Sequence, residues 1–158
     1  MLEIGDKAID FELDGIDANG NEKVFKLSEL LLLKKDVLLY FYPKDNTPGC
    51  TTQACNFRDN MSRLNPKYTV IGVSKDSINS HHKFQLDHDL NFMLVSDLEG
   101  ALMEKYDVWG LKKMYGKESM GVIRSTFVIN QDGIMTHVWR NVKATGHVER
   151  LISELGVS

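Results

Sequence analysis

Residues 37–42, Val-Leu-Leu-Tyr-Phe-Tyr, form an unbroken apolar and aromatic run that stops at Pro43. A run of that length matches a strand covered on both faces, at the centre of a parallel or mixed sheet. After a loop over 43–49, residues 51–64 contain no Gly or Pro and space Ala54, Phe57, Met61 and Leu64 as one helical face, which predicts a helix. The alternation continues with a strand over 69–74, a helix over 77–89, a strand over 92–96 and a short helix over 100–106. Strands separated by helices imply parallel connections. Upstream, 11–14 and 24–26 predict two short strands around the turn-prone Asp17-Ala18-Asn19-Gly20, an edge hairpin.

The last third changes period. Residues 125–130 and 134–142 predict two strands joined by Gln131-Asp132-Gly133, a hairpin signal, and a closing helix covers about 147–155. A β-α-β-α half followed by a β-β-α half is the plan of an α/β, thioredoxin-like fold. Here it carries an N-terminal β-hairpin and inserted elements, giving a mixed central sheet flanked by helices. A chain of 158 residues suits a single domain over 1–158.

Composition narrows the function classes. With 42% apolar and 26% charged residues, the chain has an ordinary globular balance. A net charge of −3 with no long block of either sign argues against a nucleic-acid surface or a polybasic membrane anchor. The first ten residues lack the basic flank and apolar stretch of a signal peptide. The apolar runs at 30–33 and 37–42 are too short to span a bilayer, so a cytoplasmic protein with small diffusible partners is expected. In a reducing compartment the two cysteines, Cys50 and Cys55, read as catalytic, redox-sensing or metal-binding rather than as a structural disulfide.

Cys50 opens the helix that follows the buried strand, inside Pro43-Lys44-Asp45-Asn46-Thr47-Pro48-Gly49-Cys50. A thiol reacts as its thiolate, a minor species at neutral pH for an unperturbed cysteine near ~8.5. At a helix start, unpaired N–H groups and the positive end of the dipole favour the anion. Pro48 pre-sets φ there without removing a needed donor, and Gly49 lets the backbone approach a ligand. Thr47 places a hydroxyl three residues before the sulfur, able to donate to one oxygen of a peroxide or accept from the other. Free cysteines more often fill cores, but that role does not call for Thr, Pro and Gly around one cysteine at a helix start.

The spacing of the pair adds a constraint. Five residues along a helix separate Cα atoms by roughly 8.5 Å, whereas a disulfide needs less than about 7 Å. Cys50 and Cys55 therefore cannot bond within an intact helix, and oxidation is expected to unwind its first turns. The expected cycle has Cys50 attack an O–O bond, become a sulfenic acid and be resolved by Cys55 after local unfolding.

Pro43-x3-Thr47-x2-Cys50 resembles the peroxiredoxin signature, and Thr47-Pro48-Gly49-Cys50-Thr51-Thr52-Gln53-Ala54-Cys55 resembles the bacterioferritin comigratory protein, or peroxiredoxin Q, branch. Val108-Trp109-Gly110, the 116–121 segment and Arg124-Ser125-Thr126-Phe127 are similar to that branch too, so the likeness covers nearly the whole chain. It implies a thioredoxin-fold peroxidase acting on hydrogen peroxide and organic hydroperoxides, commonly a monomer. Cys50 would be peroxidatic and Cys55 resolving, with regeneration by a thioredoxin-type donor. It further implies that Pro43 shields Cys50 from water, Thr47 binds and orients the peroxide, and Arg124 holds the thiolate and stabilises the departing oxygen. Some relatives carry Glu at the position of Gln53, which leaves a carboxylate role there open. A surface salt bridge is the minor alternative for Arg124, outweighed by the family match and its place before a strand.

Other signals are set aside. His81, His82 and His88 read as a solvated helix face, since His81 and His88 lie about 10 Å apart along the axis, too far for one ion. His137 and His147 stand isolated. Without Cys-x2-Cys pairs a zinc site is disfavoured, and no metal or cofactor is expected. Arg58 and Asp59 read as an ion pair or cap. Lys112, Lys113, Tyr115 and Lys117 read as a basic, solvated loop. Two rival functions remain: a general thiol-disulfide oxidoreductase, weakened by the lack of Cys-x-x-Cys, and a non-enzymatic redox sensor.

Overall fold

The computed structural model describes residues 1–157 and, of Met114, the backbone. In chain order its elements are β1 (Glu12–Ile16), β2 (Glu22–Lys26), α1 (Leu27–Leu30) with a 3-10 turn at Leu31–Leu33, β3 (Asp36–Phe41), α2 (Pro48–Asp59) and α3 (Met61–Leu64). There follow β4 (Tyr68–Ser74), α4 (Ile78–His88), β5 (Met93–Ser96), α5 (Ala101–Lys105), β6 (Trp109–Met114), β7 (Lys117–Val122), β8 (Ser125–Ile129), β9 (Met135–Trp139) and α6 (His147–Leu155).

Among the described residues, seven strands form one mixed sheet in the order β2-β1-β5-β4-β3-β8-β9. The β3–β4 and β4–β5 pairs are parallel, while β1–β2, β1–β5, β3–β8 and β8–β9 are antiparallel. This is the thioredoxin-like arrangement that the element order predicts. The period of two in β3 divides the core: Leu38, Tyr40 and Tyr42 pack with Cys50, Phe57, Phe84 and Leu151 on one face. Val37, Leu39 and Phe41 pack with Leu102, Tyr106 and Phe127 on the other. A strand covered on both faces has to be apolar throughout, which is why β3 reads as a continuous run.

Three expectations are corrected. The predicted 51–64 helix starts earlier, at Pro48, and breaks at Asn60 (φ −110°, ψ 7°), where the Asn60 side chain donates to the Asn56 carbonyl at 2.8 Å and competes with the helical ladder. Its apolar face survives the break, with Ala54, Phe57, Met61 and Leu64 all buried. The strand predicted over 134–142 ends at Trp139. The supposed basic loop is a hairpin: β6 and β7 pair antiparallel, with Gly110 opposite Gly121 and Lys112 opposite Ser119.

His147, at the start of α6, is buried against the sheet with Nε2 2.9 Å from Thr126 Oγ1, so it is not isolated as its sequence position suggests. Burial, reinforced by the Arg150 and Arg124 charges, lowers its pKa from 6.5 to about 4. Between those values the unfolded chain binds the extra proton, so this contribution is complete above pH 6.5 and is lost as pH falls, by about 3 kcal/mol at pH 4. Urea unfolding at pH 7 and pH 4.5 should show wild type losing more stability on acidification than His147→Gln. Equal losses would contradict this assignment.

Candidate active site

The register between β3 and β8 builds the site. Phe41 lies opposite Ser125, so the next residues outward, Tyr42 and Arg124, meet at the end of the sheet where the loop toward α2 begins. Pro43 is the first residue of that loop and is half-buried. The loop ends at Thr47, the extended N-cap of α2 (φ −85°, ψ 153°), with Pro48 in the first helical position. Thr47 Oγ1 makes no capping bond; it donates to the Lys44 carbonyl at 2.7 Å, which leaves its lone pairs free to accept. The first intrahelical bond runs from the Thr51 N–H to the Thr47 carbonyl, 2.8 Å. The Gly49 and Cys50 N–H groups therefore lie outside the helical ladder.

Cys50 is 2% exposed and Cys55 half-buried, both as free thiols. Both lie on α2, where a separation of five residues turns them to different sides of the helix. Arg124 Nη2 donates to Cys50 Sγ at 3.3 Å, while Nη1 donates to Gln53 Oε1, one turn further along α2. The fork of one guanidinium thus spans the sulfur and a neighbouring amide. The backbone of Arg124 is held by Val142, whose N–H donates to the Arg124 carbonyl at 2.9 Å. Gly49 lies close by: a Cβ there would come into van der Waals contact, 3.4 Å, with both Arg124 Nη2 and the Ala144 side chain.

Sequence reasoning left Gln53 with an open role. It is fully buried, and its Oε1 orients Arg124 while its Nε2 finds no partner among the described residues. A glutamine three residues after Cys50, on the face that carries Ala54 and Phe57, is a signal that a buried polar group is being used. Tyr40, packed in the same core as Cys50, also leaves its hydroxyl unpaired among the described residues.

Residues 4–138 match the AhpC/TSA family. The chain is 47% identical to the peroxiredoxin Bcp of Bacillus subtilis over 155 residues, 98% of this chain and 95% of that protein. A cysteine-to-serine mutant of Xylella fastidiosa PrxQ has a related structure, with TM-score 0.86 and 34% identity over 99% of this chain and 96% of the other. The chain belongs to the AhpC/TSA family. It is a peroxiredoxin of the Bcp/peroxiredoxin Q branch, and its activity is that of a thiol peroxidase. A further relative, the Xanthomonas campestris bacterioferritin comigratory protein, known in trapped intermediate/ligand complexes and for alkyl peroxide reduction activity, superposes with TM-score 0.75 at 34% identity, covering 91% of this chain and 90% of the other.

Features around the peroxiredoxin centre depart from sequence expectation. Lys112 is half-buried and its stem crosses Gly121, whose Cβ would stand 3.1 Å from Lys112 Cδ. Burial and the Arg124 charge lower its pKa, opposed by Cys50, so this half-buried lysine lies within electrostatic range of the site. His81 is fully buried and paired with Asp45 at 2.7 Å, which overturns its reading as part of a solvated face. His82 remains partly exposed beside Glu22, and His88 bonds Asn46. Arg58 and Asp59 do form an ion pair, at 2.9 Å, and Arg58 Nη1 also donates to the His88 carbonyl. Among the described residues no cluster of three or more His, Cys, Asp or Glu could hold a metal ion, and no helix is long and apolar enough to cross a membrane.

Proposed function

We propose that Cys50 is the peroxidatic nucleophile and Cys55 its resolving partner, in a cycle that reduces hydrogen peroxide and organic hydroperoxides and is recharged by a thioredoxin-type dithiol protein. The observation that carries this reading is the Arg124 guanidinium 3.3 Å from a buried sulfur at an open helix start. Charge-assisted donation and free N–H groups stabilise negative charge arriving on a bound oxygen. Thr47, its own proton committed to Lys44, accepts the O–H of the hydroperoxide and aims the O–O bond along the line of attack. Pro43 shields the sulfur from bulk water.

The sulfur–oxygen bond forms as the O–O bond breaks, and the departing oxygen takes a proton to leave as water or alcohol. Cys50 is then a sulfenic acid. Cys55 attacks its sulfur, forming the disulfide and releasing water, and the dithiol donor returns both thiols by exchange while becoming a disulfide itself. Because both cysteines lie in one helix, separated by roughly 8.5 Å between Cα atoms, resolution requires α2 to unwind. The alkyl peroxide activity of the Xanthomonas relative supports organic hydroperoxides as substrates.

Treating reduced protein with one equivalent of hydrogen peroxide in the presence of a sulfenic acid trap tests the cycle. Wild type should proceed to an intramolecular disulfide with faster amide exchange over residues 48–58, and Cys55→Ser should accumulate the trapped adduct on Cys50. Absence of that adduct from Cys55→Ser would sink the proposal.

A further inference from the structure

The loop of residues 43–47 has no regular structure of its own, yet it is held by a buried polar network that the chemistry does not consume. Asp45 is 6% exposed. Its Oδ1 accepts from Tyr42 Oη at 2.6 Å, and its Oδ2 accepts from Ser80 Oγ at 2.8 Å and lies 2.7 Å from His81 Nδ1. The other ring nitrogen, His81 Nε2, is 3.1 Å from the Val95 carbonyl. A carbonyl only accepts, so Nε2 carries a hydrogen. His81 thereby ties the loop to β5 from inside the protein. The Asp45 N–H donates to Asp76 Oδ2 at 2.8 Å, and that oxygen also accepts from Ser74 Oγ at 2.7 Å, at the end of β4.

Asn46 continues the clamp. Its backbone is left-handed (φ 60°), and its side chain reaches Asp87 at 3.3 Å and His88 at 2.9 Å. Consecutive loop residues are thus fastened to opposite ends of α4, immediately before Thr47. The partners of Asp45 all lie outside α2, the helix that must unwind, and α2 meets the clamp through Arg58 near its far end, which donates to the His88 carbonyl. A buried carboxylate and imidazole are costly to desolvate, and an apolar pair would fill the same space with less penalty. Their use is consistent with setting geometry rather than adding stability.

We propose that Asp45 and His81, supported by Tyr42 and Ser80, are positioning residues that hold Thr47 and the start of α2 in register for peroxide attack while the rest of α2 winds and unwinds. The proposal rests on the role given to Thr47 above. Because a misplacement of about 1 Å can cost on the order of 10²-fold in rate, loosening this clamp slows the oxidation of Cys50 and leaves resolution by Cys55 unchanged.

The test is single-turnover oxidation of the reduced full-length protein by hydrogen peroxide, followed by acid quench and mass spectrometry, on variants whose folding is checked by circular dichroism. His81→Leu should lower the second-order oxidation rate by roughly 10- to 100-fold. His81→Asn, which keeps a hydrogen-bonding side chain near the Nδ1 position, should recover most of that loss. The plateau rate at high peroxide, set by disulfide formation, should match wild type in both. Should His81→Leu not fold, Tyr42→Phe and Ser80→Ala, each removing one hydroxyl, are expected to slow oxidation several-fold. Wild-type oxidation rates in folded Tyr42→Phe and Ser80→Ala overturn the proposal, as does a His81→Asn no faster than a folded His81→Leu. Thr47→Val separates the two readings: if it is slow while the network variants are normal, the positioning role alone falls, and if it oxidises normally, the Thr47 role beneath it falls.

Discussion

Cys50→Ser should lower peroxide consumption by on the order of 10³-fold or more, while leaving the folded structure intact. A serine hydroxyl fits the volume of a thiol that is 2% exposed and belongs to the core that also holds Tyr40, Phe57 and Val148, so the core loses little. The chemistry loses the proposed nucleophile. An alcohol does not ionise near neutral pH, and neither Arg124 nor the open N–H groups at the start of α2 can supply an attacking group. Initial rates of hydrogen peroxide loss, with a dithiol reductant in excess, measure the effect. A Cys50→Ser protein that kept even a tenth of the wild-type rate would move the nucleophile elsewhere, with Cys55 the first alternative. The same variant should still unfold with a midpoint close to wild type, which separates lost chemistry from lost structure.

The parts of this site that could be read from sequence are the local ones. The apolar run of β3, the turn residues Pro48 and Gly49, and the helical spacing of Ala54 and Phe57 are set by steric and periodic rules acting over a few residues, so Cys50 could be placed at a strand-to-helix junction. Arg124 could not be placed that way. Its approach depends on the register that sets Phe41 against Ser125, a pairing between distant segments, and likeness to a known family, with its place before a strand, pointed to it. The β6–β7 hairpin was misread because Lys112, Lys113 and Lys117, with glycines at 110, 116 and 121, obscure the alternation that marks strands. The strands hold through pairing with each other. His81 had a readable signal that charge composition concealed: it lies three residues before Phe84 on one face of α4, and both are fully buried. A histidine on an apolar stripe needs partners at both ring nitrogens, and Asp45 and Val95, which supply them, are remote in sequence.

Arg124→Leu should reduce the rate constant for Cys50 oxidation by about 10²–10³-fold, the range seen when a preorganised donor to developing charge is removed. Two losses combine. The sulfur gives up a charged donor at 3.3 Å, and the oxygen that departs during O–O cleavage gives up the cation proposed to stabilise it. Arg124→Lys tests geometry apart from charge. An ammonium can approach the sulfur, but it lacks the planar fork that lets Nη2 meet Cys50 while Nη1 is held by Gln53. It should therefore recover only part of the loss. Alkylation of Cys50 by iodoacetamide at neutral pH resolves the two contributions, because it needs the thiolate but breaks no O–O bond. It should slow less than peroxide reduction in Arg124→Leu, and the difference measures the stabilisation of the leaving oxygen. Equal slowing of both reactions would confine Arg124 to the thiolate, and the departing oxygen would then depend on Thr47 and the N–H groups at the start of α2.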